Sequence, residues 1–374
     1  MNCNKFDKIA FYSRNALSSN VHPKPKSRQN SSRHIRRLKI IGGLLTAGGI
    51  CLFAYFVHAV GFDEIYNGVL RFGLSGFAVI LLIFFGRVYV RAYAWKLAVH
   101  EPYELKLRDA IPAVVIGEAM SSTIPLGILA SGTAKAVAVR KRIPLVVGLS
   151  SVATENLFYC LVTGIFLIVG AVVFLRGYAV DESLIVTLDT LIAIVAVLLV
   201  LGLIMVIREW HFASATCEWL YKKGFLPSLL ENGRRDVRRF EDLIYSFYRR
   251  YPSRFLPICL FETAYFVGGV AEVWCILSRL LDIWPSPMTA LILESVSRFL
   301  TIIFKLVPFV IGIDEAGSQF VSDTLALAAG VGVTLAIIRK GRILFWTAVG
   351  LALIIKRGIS ITELSNAEEI SEMT

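Results

Sequence analysis

The 374-residue chain lacks most of the equipment of a soluble enzyme. Its five histidines (His22, His34, His58, His100 and His211) show no ligand-like spacing, and there is no nucleophile elbow or phosphate-cradling glycine loop. Its six cysteines (Cys3, Cys51, Cys160, Cys217, Cys259 and Cys275) are scattered, four of them in or beside apolar runs. That spacing excludes zinc and redox motifs, so no disulfide, metal or cofactor is expected. Charged residues are scarce as well, at 18% against 56% apolar.

What the chain has is long apolar runs, several of 20 residues or more. One crossing of about 30 Å of hydrocarbon needs about 20 such residues. The composition therefore predicts an all-α, polytopic integral membrane bundle. The net charge of +11 points to topology rather than to nucleic acid, because the basic residues are unevenly placed. Residues 1–37, 87–108, 135–142 and 208–254 are rich in Lys and Arg, whereas 61–71, 176–183 and 282–287 hold only Arg71 and Arg176. The first set is expected in the cytoplasm together with the N-terminus, the second outside.

Taken in order, residues 1–37 read as a disordered basic tail, residues 38–358 as the membrane domain, and residues 359–374 as an acidic disordered tail. Six crossings are expected, at about 40–60, from 72, and at 144–175, 184–207, 255–281 and 321–338, with residues 61–71 as an outer loop. Arg87 and Arg91 lie one turn apart near the end of a span, placed to snorkel toward headgroups. The long loop 208–254 carries an amphipathic helix whose apolar face is Val237, Phe240, Ile244, Phe247 and Tyr251. Arg234, Arg235, Arg238 and Arg239 fall mostly off that face, which fits either an anionic membrane surface or packing on the protein itself.

Two segments break the pattern of ordinary spans. The first, 110–132, holds Glu118, then Pro125, Gly127 and Gly132; the second, 288–317, holds Glu294, Arg298 and Lys305, then Pro308, Gly312, Asp314, Glu315 and Gly317. Steps of four and seven return Glu294, Arg298 and Lys305 to within about 40° on one helix face. Lipid cannot face such a stripe, because ionisable groups at membrane depth need partners or a wet cavity. Pro308 lacks an amide hydrogen, Gly312 and Gly317 permit turns, and the freed backbone must be covered by protein or water. A third polar cluster, Ser150, Ser151, Thr154, Glu155 and Asn156, sits a third of the way along 144–175. The two broken segments correspond in kind, as in transporters with inverted repeats.

GEAMSSTIPLGILASGTAKAVAVRKRIPLVVGLSSVATENLFY and ESVSRFLTIIFKLVPFVIGIDEAGSQF, together with RKGRILFWTAVGLALI, resemble the lysylphosphatidylglycerol synthase transmembrane-region family. The resemblance covers about 38–358 and rests on Pro125, Gly127, Gly132, Pro308, Gly312, Glu315 and Gly317. It implies a bacterial inner-membrane protein that flips or transports an amphiphilic lipid, either a phospholipid or a hopanoid-like one. It further implies a stand-alone member, since no soluble aminoacyltransferase follows Gly358. On this reading Glu118, Glu155, Glu294, Arg298, Lys305, Asp314 and Glu315 handle the headgroup. The alternatives are an intramembrane lipid-modifying transferase using Glu155 or Glu315 as base, and a scaffold for lipid-biosynthetic enzymes.

Overall fold

A computed structural model describes residues 51–55, 57–123, 127–178, 182–208, 214–216, 218–219, 238, 241–242, 244–281, 284–305, 307–328 and 330–357. All regular structure among them is helical. The principal helices are α1 (Phe62–Ala98), α2 (Leu107–Thr123), α3 (Gly127–Val139), α4 (Leu145–Gly177), α5 (Glu182–Ile207), α6 (Phe255–Leu280), α7 (Pro287–Ile303), α8 (Ile313–Thr324) and α9 (Val331–Arg357). Among the described residues, four stretches, Ile65–Ala98, Leu145–Gly177, Ile185–Val206 and Pro252–Leu280, are long and apolar enough to cross a membrane. The chain is an all-α polytopic membrane protein. Both expected tails lie outside the described residues, as does the first part of the expected span at 40–60.

Large apolar side chains such as Leu74, Leu82, Val197 and Leu198 stand exposed on the helices. In water they would be a liability; in a bilayer they are the lipid-facing surface. Helix α5 has none of its apolar window buried and lies along α4, where Gly164 opposes Leu199. The interior has two main apolar clusters. One joins Ile80, Val273, Ile276, Leu293, Val321 and Leu335 from α1, α6, α7, α8 and α9. The other joins Val88, Trp95, Val114, Val139 and Val152 from α1 to α4.

The two anomalous segments are each two helices. Helices α2 and α3 pack on each other across 124–126, and Pro125 lies outside the described residues. Helix α7 starts cleanly, because Pro287 occupies its first turn and the Ser286 hydroxyl accepts from the Met288 amide at 3.2 Å. It stops at Ile303; Pro308–Val310 then forms a single 3-10 turn, and the chain re-enters a helix at α8. Phe309, Val310 and Gly312 all have positive φ, 55°, 49° and 81°. Only the glycine adopts that conformation without strain.

Several sequence expectations are corrected. Residues 62–71 are the first turns of α1, which kinks at Gly73 (φ 67°), and are not a loop. The expected span 321–338 breaks at 325–330, where Ala326 and Gly330 have positive φ; one 27-residue helix then runs through 345–355. Gly132 and Gly317 lie inside α3 and α8 and break nothing. A side chain at Gly317 would run into Leu300, so this glycine lets α8 approach α7. Ile244 and Phe247 of the long loop are buried, Phe247 in a cluster with Ala94, Ala98, Phe158 and Ile258, so this part of the amphipathic stretch packs on the protein. Arg238 is exposed, while Val237, Phe240, Arg234, Arg235 and Arg239 lie outside the described residues.

Candidate functional site

Between the two hairpins lies a partly open cavity of about 140 Å³. Each broken segment contributes to its wall: Glu118, Ser121 and Ser122 from α2, and Ser297, Arg298 and Thr301 from α7. Lys305, Phe309, Val310 and Asp314 come from the break and the start of α8. Arg87, Tyr265, Arg339, Arg342 and Trp346 close the remaining sides from α1, α6 and α9. The hairpins touch directly, with Lys305 Nζ donating to Ser121 Oγ at 2.9 Å.

Behind the wall, charges are paired side chain to side chain. Glu294 of α7 is fully buried; its Oε2 lies 2.6 Å from Arg339 Nη2, and its Oε1 lies 2.9 Å from Arg298 Nη2 and 3.6 Å from Arg87 Nη2. Glu272 of α6 holds Arg87 at 2.9 Å and Arg342 at 2.7 Å. Arg339 Nη1 also donates to Ser297 Oγ at 2.9 Å, and that hydroxyl donates to Asp314 Oδ1 at 2.6 Å. A second cluster centres on buried Glu155, which receives Arg91 Nε at 3.0 Å and Lys135 Nζ at 3.4 Å. Arg91 Nη1 reaches Glu118 at 2.9 Å. The Tyr265 ring joins the clusters, with Arg87 4.4 Å, Arg91 5.4 Å and Arg298 5.6 Å from its centroid.

The residues singled out from sequence divide accordingly. Glu118, Arg298, Lys305 and Asp314 line the cavity, while Glu155, Glu294 and Glu315 sit behind it in ion pairs. Lys305 is not on the stripe with Glu294 and Arg298, because α7 has ended by then. Glu315 is committed twice: it accepts the Gly312 amide at 2.7 Å and pairs with Lys340 at 2.6 Å. With Glu155 held by two cations, neither glutamate is a free base. Arg87 and Arg91 do not snorkel; they are buried, and so are Lys135, from the supposed loop 135–142, and Arg339 and Arg342 of α9. Their signal in the sequence was a cation inside a helix-forming apolar run, which a count of basic residues at span ends assigns to headgroups instead. Among the described residues, no group of three or more His, Cys, Asp or Glu could hold a metal ion.

The pairing needs space, and glycine provides it. A Cβ at Gly269 would stand 2.5 Å from Glu294 Oε1 and 3.2 Å from Arg87 Nη2, and one at Gly268 would stand 2.8 Å from Arg87 Cγ. Gly269→Val is expected to push Glu294 off its partners and cost about 1–3 kcal/mol or more. A lowered melting temperature of the purified protein in detergent checks this; an unchanged one contradicts it.

The family model described as the lysylphosphatidylglycerol synthase TM region matches residues 40–354. The chain belongs to this family. That match takes in both hairpins, the cavity and every ion pair behind it. This family member is therefore a multi-pass membrane protein involved in lipid handling, and the matched part is the membrane region. No curated protein and no solved structure matches the chain.

Proposed function

We propose that this family member flips or transports an amphiphilic lipid whose headgroup enters the cavity while its acyl chains stay in the bilayer. The observation that carries the reading is Lys305. It lies on the cavity wall beside Arg298, and its ammonium has a hydroxyl partner in Ser121 but no ion pair among the described residues. The wall carries Arg87, Arg298, Lys305, Arg339 and Arg342 against Glu118 and Asp314, with Glu272 and Glu294 just behind. With Arg91, which pairs with Glu118 from behind at 2.9 Å, six cations meet four carboxylates, leaving the lining net positive. A phosphate-bearing headgroup complements that excess, and a hopanoid-like amphiphile would need an anionic or polyhydroxyl head to use it.

The chemistry required is modest: a polar cavity at mid-helix depth lowers the cost of moving a headgroup through hydrocarbon, and no covalent step is needed. Location in a bacterial inner membrane with a cytoplasmic N-terminus is part of the same proposal, supported by the uneven basic residues. Glu155 and Glu315 are already paired, which weighs against the transferase alternative.

The test is reconstitution in liposomes holding a fluorescent anionic phospholipid, with leaflet exchange followed by quenching from outside. Wild-type protein is expected to accelerate exchange, and Lys305→Ala and Arg298→Ala to slow it by about tenfold to a hundredfold, the loss of one charge-assisted hydrogen bond at about 1.5–3 kcal/mol. Equal rates in wild type, both variants and protein-free liposomes would remove the proposal.

A further inference from the structure

A third carboxyl lies next to the Glu155 cluster and has no role in the reading above. Glu262, in the middle of α6, is fully buried. Neither of its oxygens receives a hydrogen bond from a described residue. The Glu155 carboxyl lies near enough for the two to share a hydrogen bond if one proton lies between them.

The titratable groups facing Glu262 come from four helices. They are Glu155 and Cys160 from α4, Arg91 from α1, Lys135 from α3 and Cys259 one turn earlier on α6 itself. Arg91 and Lys135 are both turned to Glu155, and Arg91 is shared further with Glu118. Two cations thus serve three carboxyls. An ionised pair of abutting carboxylates would repel, and burying an unpaired carboxylate costs several kcal/mol. The carboxyl without donors is the one that gives way.

We infer that Glu262 is a proton-binding site of the membrane domain: it carries a proton at neutral pH, donates it toward Glu155, and leaves Glu155 ionised between Arg91 and Lys135. The linkage to the cavity runs through Arg91, whose other end holds Glu118 on the wall. An anion in the cavity that draws Arg91 off Glu155 leaves less positive charge on the pair, so the proton is held more firmly. Proton and anionic headgroup would then bind cooperatively. This last step rests on the lipid reading; the proton site does not.

Infrared spectroscopy of the full chain in lipid nanodiscs tests it directly. Wild-type protein should show a protonated-carboxyl C=O band at neutral pH that shifts in heavy water and disappears as pH is raised. Glu262→Gln should lack the band. Glu155→Gln should also lose it at neutral pH, because Arg91 and Lys135 then become available to Glu262 and allow it to ionise. Absence of the band from wild type, or its persistence in Glu262→Gln, overturns the inference. If Glu262→Gln does not fold, the Glu155→Gln comparison decides, and an unchanged band there overturns it equally. Adding a short-chain phosphatidylglycerol should raise the pH at which the band disappears. A band that obeys the two substitutions but ignores the lipid upholds the proton site and tells against the lipid reading.

Discussion

Glu294→Ala should leave little folded protein. The substitution removes the carboxylate that faces Arg339, Arg298 and Arg87 from three helices, and it leaves those guanidinium groups buried around a void. Breaking a buried pair by deleting one partner costs about 3–5 kcal/mol, a large share of a typical folding stability of about 5–15 kcal/mol. Here the deleted partner is shared, so the upper end of that range is expected. Glu294→Gln keeps the volume and one acceptor oxygen and should fall between Ala and wild type. Size-exclusion profiles and melting curves in detergent measure both. A wild-type melting temperature for Glu294→Ala would mean that the network does not hold α1, α7 and α9 together.

Lys305→Glu should change which headgroup is accepted. The substitution shifts the wall by two charges, cancelling the excess of cations among the groups on or just behind it. Anionic lipid exchange in liposomes is expected to fall by well over tenfold, since each 1.4 kcal/mol is a factor of ten and a like-charge approach adds to the lost attraction. Exchange of a lipid with a net positive headgroup should fall less, or rise. Because Lys305 lies in the break with a hydroxyl as its hydrogen-bond partner, the fold should tolerate the change, and a melting curve close to wild type is the control. An equal loss for both lipids would show that the residue does not select on charge.

The fold class was legible in the apolar runs, and the break at Pro308 and Gly312 in the residues that make it. The pair Glu294 and Arg298 was legible too, because four residues on a helix is one turn. What stayed hidden was who pairs with whom over distance. Arg87 meets a glutamate 185 positions away, and Arg339 one 45 positions away. Periodicity carries no information at that separation. Placing Arg87, Arg91 and Lys135 with headgroups or loops followed a rule that weighs charge by position along the chain. It fails where a span is internal enough for its cations to find carboxylates inside. The same blindness applied to Glu262, which looked like any other glutamate in an apolar run until three other helices were brought around it.

One contact at the second break limits how an anion can be recognised there. The start of α8 would ordinarily offer bare amides and the positive end of a helix dipole to a phosphate. Glu315 already fills that position from its own first turn, bonded to the Gly312 amide and backed by Lys340. The Gly312 amide is thereby taken, and on the proposed reading side chains on the wall carry the discrimination. On the proposed transport reading, family members with other residues at 298 or 305 are expected to prefer other lipids on an unaltered scaffold.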